Sequence, residues 1–146
     1  LAPALHLAGA ARFAGTVARG LPFGRRLPPV PKVGGSDVRD PEARRDNPSM
    51  PAVPLSAVGE LALLAREVDA LLPGLRAPAL VVAARHDHTV ALSGARRLAE
   101  RVGSGPARLI VLERSFHLVG IDVERDRCAD EVATFFASIP PAAEGA

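Results

Sequence analysis

The sequence has no tryptophan, no tyrosine and only five phenylalanines among its 146 residues. It therefore lacks the aromatic side chains on which single-stranded nucleic acids stack. Its net charge is only +2, and its arginines are scattered among acidic residues, a distribution that is typical of a solvated surface. These shortages argue against nucleic acid as a partner.

Cysteine and long apolar runs are also scarce. Cys128 is the single cysteine, so the chain cannot form an internal disulfide, and the cytoplasm is the favoured compartment. No apolar run is long enough to cross a bilayer, which predicts that the chain has no membrane span. Apolar residues nevertheless make up 48% of the chain, which is enough for a packed core.

Strand and helix patterns alternate in the second half of the chain. The continuous apolar run at 79–84 (Ala-Leu-Val-Val-Ala-Ala) is typical of a parallel strand that is buried on both faces. A helix is predicted over 93–102 with Ser93 as its N-cap, then a second strand over Arg108–Leu112, then a helix over 123–138. This βαβα order predicts an α/β fold with a parallel sheet flanked by helices.

The first half of the chain is less regular. A helix is predicted over 58–72, and its apolar stripe consists of Leu61, Leu64, Val68, Leu71 and Leu72. Residues 8–54 are rich in proline, glycine and arginine, with one short helix expected near 10–19. We interpret 8–54 as an irregular insertion over the sheet, and a flexible linker is the alternative.

The two ends of the chain are interpreted as separate short segments. Residues 1–7 open in an apolar run without an initiator methionine, so we expect them to end a core strand and the chain to be a fragment. Residues 55–140 would then form the C-terminal part of the core. The small-residue tail at 141–146 is expected to be disordered.

Polar clusters follow both predicted strands directly. Asp87 comes after the first strand and His117 after the second. The carboxyl ends of parallel strands meet at one edge of a sheet, where ligands bind, so these two side chains can meet in space. A histidine oriented by a carboxylate is the pair that nucleophilic acyl transfer requires.

Other residues near these clusters have simpler interpretations. His86 and His88 flank Asp87, but alternate residues near a strand end point in opposite directions, so we predict no metal site. Cys128 lies on the apolar stripe of the last predicted helix and is interpreted as a core residue. No cofactor is predicted.

Two loops carry a family resemblance: 84–90 (Ala-Arg-His-Asp-His-Thr-Val) and 115–117 (Ser-Phe-His). They resemble the acid loop and the histidine loop of the α/β-hydrolase fold, and most closely those of its small bacterial carboxylesterases and monoacylglycerol lipases. Residues 68–78 resemble the approach to the acid-bearing strand, and 121–136 resemble the final helix. Residues 1–5 resemble the strand that follows the helix of the nucleophile.

The resemblance implies a fold, a cap and a site. The chain would be the C-terminal portion of an α/β-hydrolase, with 8–54 as an inserted cap, Asp87 as the triad acid and His117 as the general base. The substrate would be a small-molecule ester. Phe13 and Phe23 of the cap, together with Val90 and Leu118 beside the acid and base, are expected to contact it.

The family's nucleophile is missing from this sequence. The motif Gly-x-Ser-x-Gly does not occur in the 146 residues, so we expect the serine and the oxyanion hole to lie upstream of Leu1. The predicted function is carboxylic ester hydrolysis through an acyl-serine intermediate, with this chain inactive alone. The alternatives are thioesterase, peptidase or peroxidase chemistry on the same fold, or a non-catalytic remnant that binds a partner.

Overall fold

The computed structural model describes residues 29–31 and 35–140. Residues 1–7, the helix expected near 10–19, Phe13, Phe23 and the tail at 141–146 lie outside the described residues. The described part of the chain contains no helix that is both long and apolar enough to cross a membrane.

A parallel strand pair forms the centre of the described core. Strand β3 (Leu80–Ala84) pairs with β4 (Arg108–Leu112) in parallel, with Val82 opposite Ile110. Helix α3 (Leu92–Arg101) connects the two strands, and this confirms the predicted βαβ unit. The last helix, α4 (Arg125–Ser138), follows β4.

Both faces of this strand pair are covered by side chains. On one face the core consists of Val82, Ala84, Ile110, Leu112, Val119 and Cys128. On the other face it consists of Val81, Ala83, Ala95 and Ala99. The two-sided burial explains why 79–84 is apolar without alternation. Cys128 is buried as predicted, and burial raises the pKa of its thiol.

The starts of two helices differ from the prediction. Helix α3 begins at Leu92 with Ala91 at its N-cap, and no side chain caps it, so the assignment of Ser93 as N-cap was wrong. Ser93 lies inside the first turn, where its backbone is already helical. Helix α4 begins at Arg125 rather than 123, because residues 121–124 form turns that hold the neighbouring loop.

The segment before the core contains more regular structure than its composition indicated. Strand β1 (Val30–Pro31) pairs antiparallel with β2 (Ala52–Val53), and a short helix, α1 (Pro41–Asp46), lies between them. The side chain of Asp40 accepts hydrogen bonds from the backbone N–H groups of Glu42 and Ala43, and Pro41 occupies the first helical position. Both are standard helix starts, so 40–42 carried a signal that the sequence analysis missed.

Helix α2 (Leu55–Leu71) is longer than predicted and exposes its apolar stripe. Leu61, Leu64, Val68 and Leu71 are all exposed, whereas Ala65 of the same helix is buried. The helix therefore turns the small residues Gly59 and Ala65, and not the leucines of the predicted stripe, toward the protein. Of the predicted stripe only Leu72 is buried, and it belongs to a short 3₁₀ turn (Leu72–Gly74) after the helix.

Candidate active site

Asp87 and His117 meet where the two parallel strands end. Strand β3 ends three residues before Asp87, and β4 ends five residues before His117. The Nδ1 atom of His117 lies 2.8 Å from Oδ2 of Asp87. The predicted contact between these two side chains is therefore confirmed. An ionised carboxylate only accepts hydrogen bonds, so a hydrogen bond at this contact requires a proton on Nδ1, and the neutral ring then has its lone pair on Nε2.

The second oxygen of Asp87 fixes the orientation of the carboxylate. Oδ1 accepts hydrogen bonds from the backbone N–H groups of Thr89 at 2.8 Å and Val90 at 2.7 Å. The Asp87 side chain is only 3% exposed, whereas that of His117 is 24% exposed. The carboxylate is thus held on one side by its own loop, and the imidazole keeps access to the surface.

Glu124 holds the loop that leads to His117. Its Oε2 atom accepts hydrogen bonds from the backbone N–H groups of Arg114 at 2.8 Å and Ser115 at 2.9 Å, and from the Ser115 hydroxyl at 2.9 Å. Ser115 is fully buried. Ser115 lies two residues before His117, but its hydroxyl donates to Glu124 and has a structural role.

Asp122 is a second buried carboxylate behind the same loop. It accepts a hydrogen bond from the backbone N–H of Phe116 at 2.6 Å, next to His117 in sequence. It also accepts from the backbone N–H groups of Arg39, Asp40 and Val123. Asp122 thus joins the histidine loop to the segment before α1. The sequence analysis noted 121–136 only as a family resemblance and missed this role.

Burial and hydrogen bonding have opposite effects on these two carboxyl groups. Burial alone would raise the pKa of Asp122, but backbone N–H donors led by that of Phe116 lower it below its ordinary value. Burial likewise would raise the pKa of Glu124, and the donors on Arg114 and Ser115 lower it. Both groups are therefore more acidic in the folded chain than in the unfolded chain.

We expect acid to destabilise the fold through these two groups. Their folded pKa values lie below the unfolded ones, so their stabilisation is complete above the unfolded values and is lost as pH falls below about 4. The urea midpoint measured between about pH 6 and about pH 3 should fall. It should fall less steeply in Glu124→Gln than in the wild type or in Asp130→Asn, a variant of an exposed carboxylate. If the urea midpoint falls equally with pH in all three proteins, the expectation is contradicted.

His88 belongs to a second carboxylate–histidine pair beside the first. Its Nδ1 atom lies 2.8 Å from Oδ1 of Asp37, and its ring meets that of Phe116 edge to face at 4.6 Å between centroids. No group of three or more metal-ligating side chains occurs among residues 29–31 and 35–140. His86 lies exposed in the turn after β3.

The other residues expected at the substrate site are only partly described. Val90 is buried at the end of the acid loop, and Leu118 is half-buried directly after His117. Both lie beside the acid and the base, and their contact with substrate stays a prediction. Phe13 and Phe23 lie outside the described residues, so their role stays a prediction as well.

Comparison with known proteins shows one curated relative and several similar structures. No protein-family model matches the chain. The thermostable monoacylglycerol lipase of Bacillus sp. (strain H-257) is 25% identical over 121 residues, which are 83% of this chain and 48% of that lipase. The chain therefore spans about half the length of this relative.

Two solved structures resemble the chain over most of its length. One structure comes from the study of LipS and LipT, two metagenome-derived lipolytic enzymes. It has a TM-score of 0.77 at 23% sequence identity, and the match covers 94% of this chain and 53% of the chain in that structure. The monoacylglycerol lipase of Paleococcus ferrophilus has a TM-score of 0.73 at 18% identity, over 94% of this chain and 56% of its own. At these identities the likeness concerns the fold. The fold of this chain is that of the C-terminal part of an α/β-hydrolase, as the sequence resemblance implied.

Proposed function

We propose that this chain supplies the acid and the base of a carboxylic ester hydrolase, with Asp87 as the acid and His117 as the base. The observation that carries the proposal is the 2.8 Å contact between Oδ2 of Asp87 and Nδ1 of His117. It lies at the ends of two parallel strands, the edge of an α/β sheet where catalysis takes place. The lipase names of the curated relative and of the similar structures support ester chemistry.

The geometry suits proton transfer at Nε2 of His117. With Nδ1–H donating to Asp87, the lone pair of Nε2 can take the proton of a serine hydroxyl as that oxygen attacks the ester carbonyl. The carboxylate stabilises the imidazolium that results. The imidazolium then returns its proton to the leaving alcohol, and water releases the acid from the acyl-serine by the same route.

We propose further that the nucleophile lies outside these 146 residues. The motif Gly-x-Ser-x-Gly is missing from the sequence, and the Ser115 hydroxyl donates to Glu124. The substrate would be a small uncharged ester in contact with Val90 and Leu118, and with Phe13 and Phe23 from the proposed cap at 8–54. The single cysteine supports a reducing compartment such as the cytoplasm.

The chain alone is expected to hydrolyse no esters, because the proposed nucleophilic serine lies outside it. The measurement is release of p-nitrophenolate from p-nitrophenyl butyrate by purified chain, with His117→Ala as the matched control. Turnover that the wild type shows and His117→Ala loses would contradict the proposal that the serine lies elsewhere.

The state of the His117 ring tests the pair itself without any activity. In chain labelled with ¹⁵N at its four histidines, the neutral His117 ring should carry its proton on Nδ1, with a downfield Nδ1 proton signal. Single histidine substitutions assign the four rings. Asp87→Asn should remove this signature, because a side-chain amide can present N–H to the ring in place of a carboxylate oxygen. A signature that persists in Asp87→Asn would refute the assignment of Asp87 as the orienting acid.

A further inference from the structure

We propose that Asp37 is a positioning residue that clamps the acid loop (87–90) to the histidine loop (115–118). This inference rests on the proposed roles of Asp87 and His117. Oδ2 of Asp37 accepts hydrogen bonds from the backbone N–H of His88 and the hydroxyl of Thr89, both at 3.1 Å. Oδ1 lies 2.8 Å from Nδ1 of His88. All three contacts fall on the acid loop.

The backbone of the same residue contacts the other loop. The carbonyl oxygen of Asp37 accepts a hydrogen bond from the backbone N–H of Leu118 at 3.2 Å. Leu118 directly follows His117. Asp37 therefore accepts hydrogen bonds from His88, the residue after the proposed acid, and from Leu118, the residue after the proposed base. It links the two loops directly.

The clamp acts on the carboxylate of Asp87 through Thr89. Oδ1 of Asp87 accepts from the backbone N–H of Thr89, while Asp37 holds the hydroxyl of that residue. The carboxylates of Asp87 and Asp37 thus both hold Thr89, one through its backbone N–H and the other through its hydroxyl. Because Oδ1 of Asp87 is tied to Thr89, the direction in which Oδ2 reaches His117 depends on where Thr89 is held.

Asp37 is itself held firmly in place. Its side chain is only 13% exposed, and its neighbour Val38 is fully buried. The next backbone N–H groups, of Arg39 and Asp40, donate to Asp122. Asp122 therefore anchors both the segment 36–40 and the histidine loop. Because Asp37 lies in this anchored segment, its contacts hold the acid loop in a defined position.

The test reads the His117 ring in ¹⁵N-histidine-labelled chain carrying Asp37→Ala or Asp37→Asn. We expect Asp37→Ala to lose the downfield Nδ1 proton signal and to shift part of the neutral ring to the Nε2–H form. Asp37→Asn keeps the size and one acceptor oxygen, so its loss should be partial. The matched control is Asp46→Ala, which removes a carboxylate of α1 that is 74% exposed and contacts Arg45.

Each outcome decides for or against the clamp. Loss of the His117 signature in Asp37→Ala and a weakened signature in Asp37→Asn, with the signature retained in Asp46→Ala, support it. A wild-type signature in Asp37→Ala overturns it. If Asp37→Ala does not fold, Asp37→Asn and Thr89→Val, which removes one of the three side-chain contacts, decide in the same way. Asp87→Asn separates the two proposals: a signature that survives there refutes the proposed pair itself, whereas a signature that is lost in Asp87→Asn and kept in Asp37→Ala refutes the clamp alone.

Discussion

In the complete enzyme of the proposed function, Asp87→Asn is expected to lower turnover about 10⁴-fold, the loss that the same change causes in a serine protease. An amide at position 87 can still accept from Thr89 and Val90 through its oxygen. Its NH₂ group would then face Nδ1 of His117, which would favour the ring form that carries its proton on Nε2. That form cannot take a proton from serine.

Steady-state hydrolysis of a p-nitrophenyl ester measures this effect, and urea unfolding measures stability alongside it. The free energy of unfolding should change far less than turnover does, because the two bonds within the acid loop remain. Asp130→Asn on the exposed side of α4 is the matched control and should keep wild-type turnover. A full-length Asp87→Asn enzyme with most of its activity would place the acid at another residue.

Asp122→Ala is expected to destabilise the fold by about 3 kcal/mol or more. The carboxylate is fully buried and accepts hydrogen bonds from four backbone N–H groups, those of Arg39, Asp40, Phe116 and Val123. Alanine would leave these donors without an acceptor, and each buried donor without a partner costs about 1–3 kcal/mol. Water that enters the space reduces this cost in part.

Urea unfolding of the chain measures this loss, with Asp130→Ala as the control for removal of an exposed carboxylate. Asp122→Asn keeps one acceptor oxygen and should fall between the wild type and Asp122→Ala. A loss below about 0.5 kcal/mol in Asp122→Ala, within the range of surface substitutions, would show that the four donors find other partners.

The core and the candidate pair could be predicted from sequence because their signals are local. The run at 79–84 is apolar without a break, and Arg108–Leu112 lies between turn residues at 103–106 and a polar cluster at 113–115, so both strands are evident from a few neighbouring residues. Asp87 and His117 follow those strands directly. Because parallel neighbouring strands end at the same edge of a sheet, the two side chains are expected to lie close together, and Nδ1 of His117 lies 2.8 Å from Oδ2 of Asp87.

The supporting contacts could not be predicted because their partners lie far apart in the chain. The bond from the Arg39 N–H to Asp122 spans 83 residues, and that from the His88 N–H to Asp37 spans 51. No periodicity marks a carboxylate that will accept backbone N–H groups from another segment. The exposure of Leu61, Leu64 and Leu71 was missed for a related reason. A helical stripe shows which residues share a face but not what that face meets.

The different chain separations of these contacts have a consequence for the order in which the site assembles. Asp87 and His117 are 30 residues apart, whereas Arg39 and Asp122 are 83 apart. Closing the longer loop costs about 1 kcal/mol more conformational entropy, and contacts that are closer in sequence form sooner. The β3–α3–β4 unit can therefore bring acid and base together early in folding. We therefore expect the segment 36–40 to dock after this unit has formed, and a loosely formed pair to become a fixed one at that step.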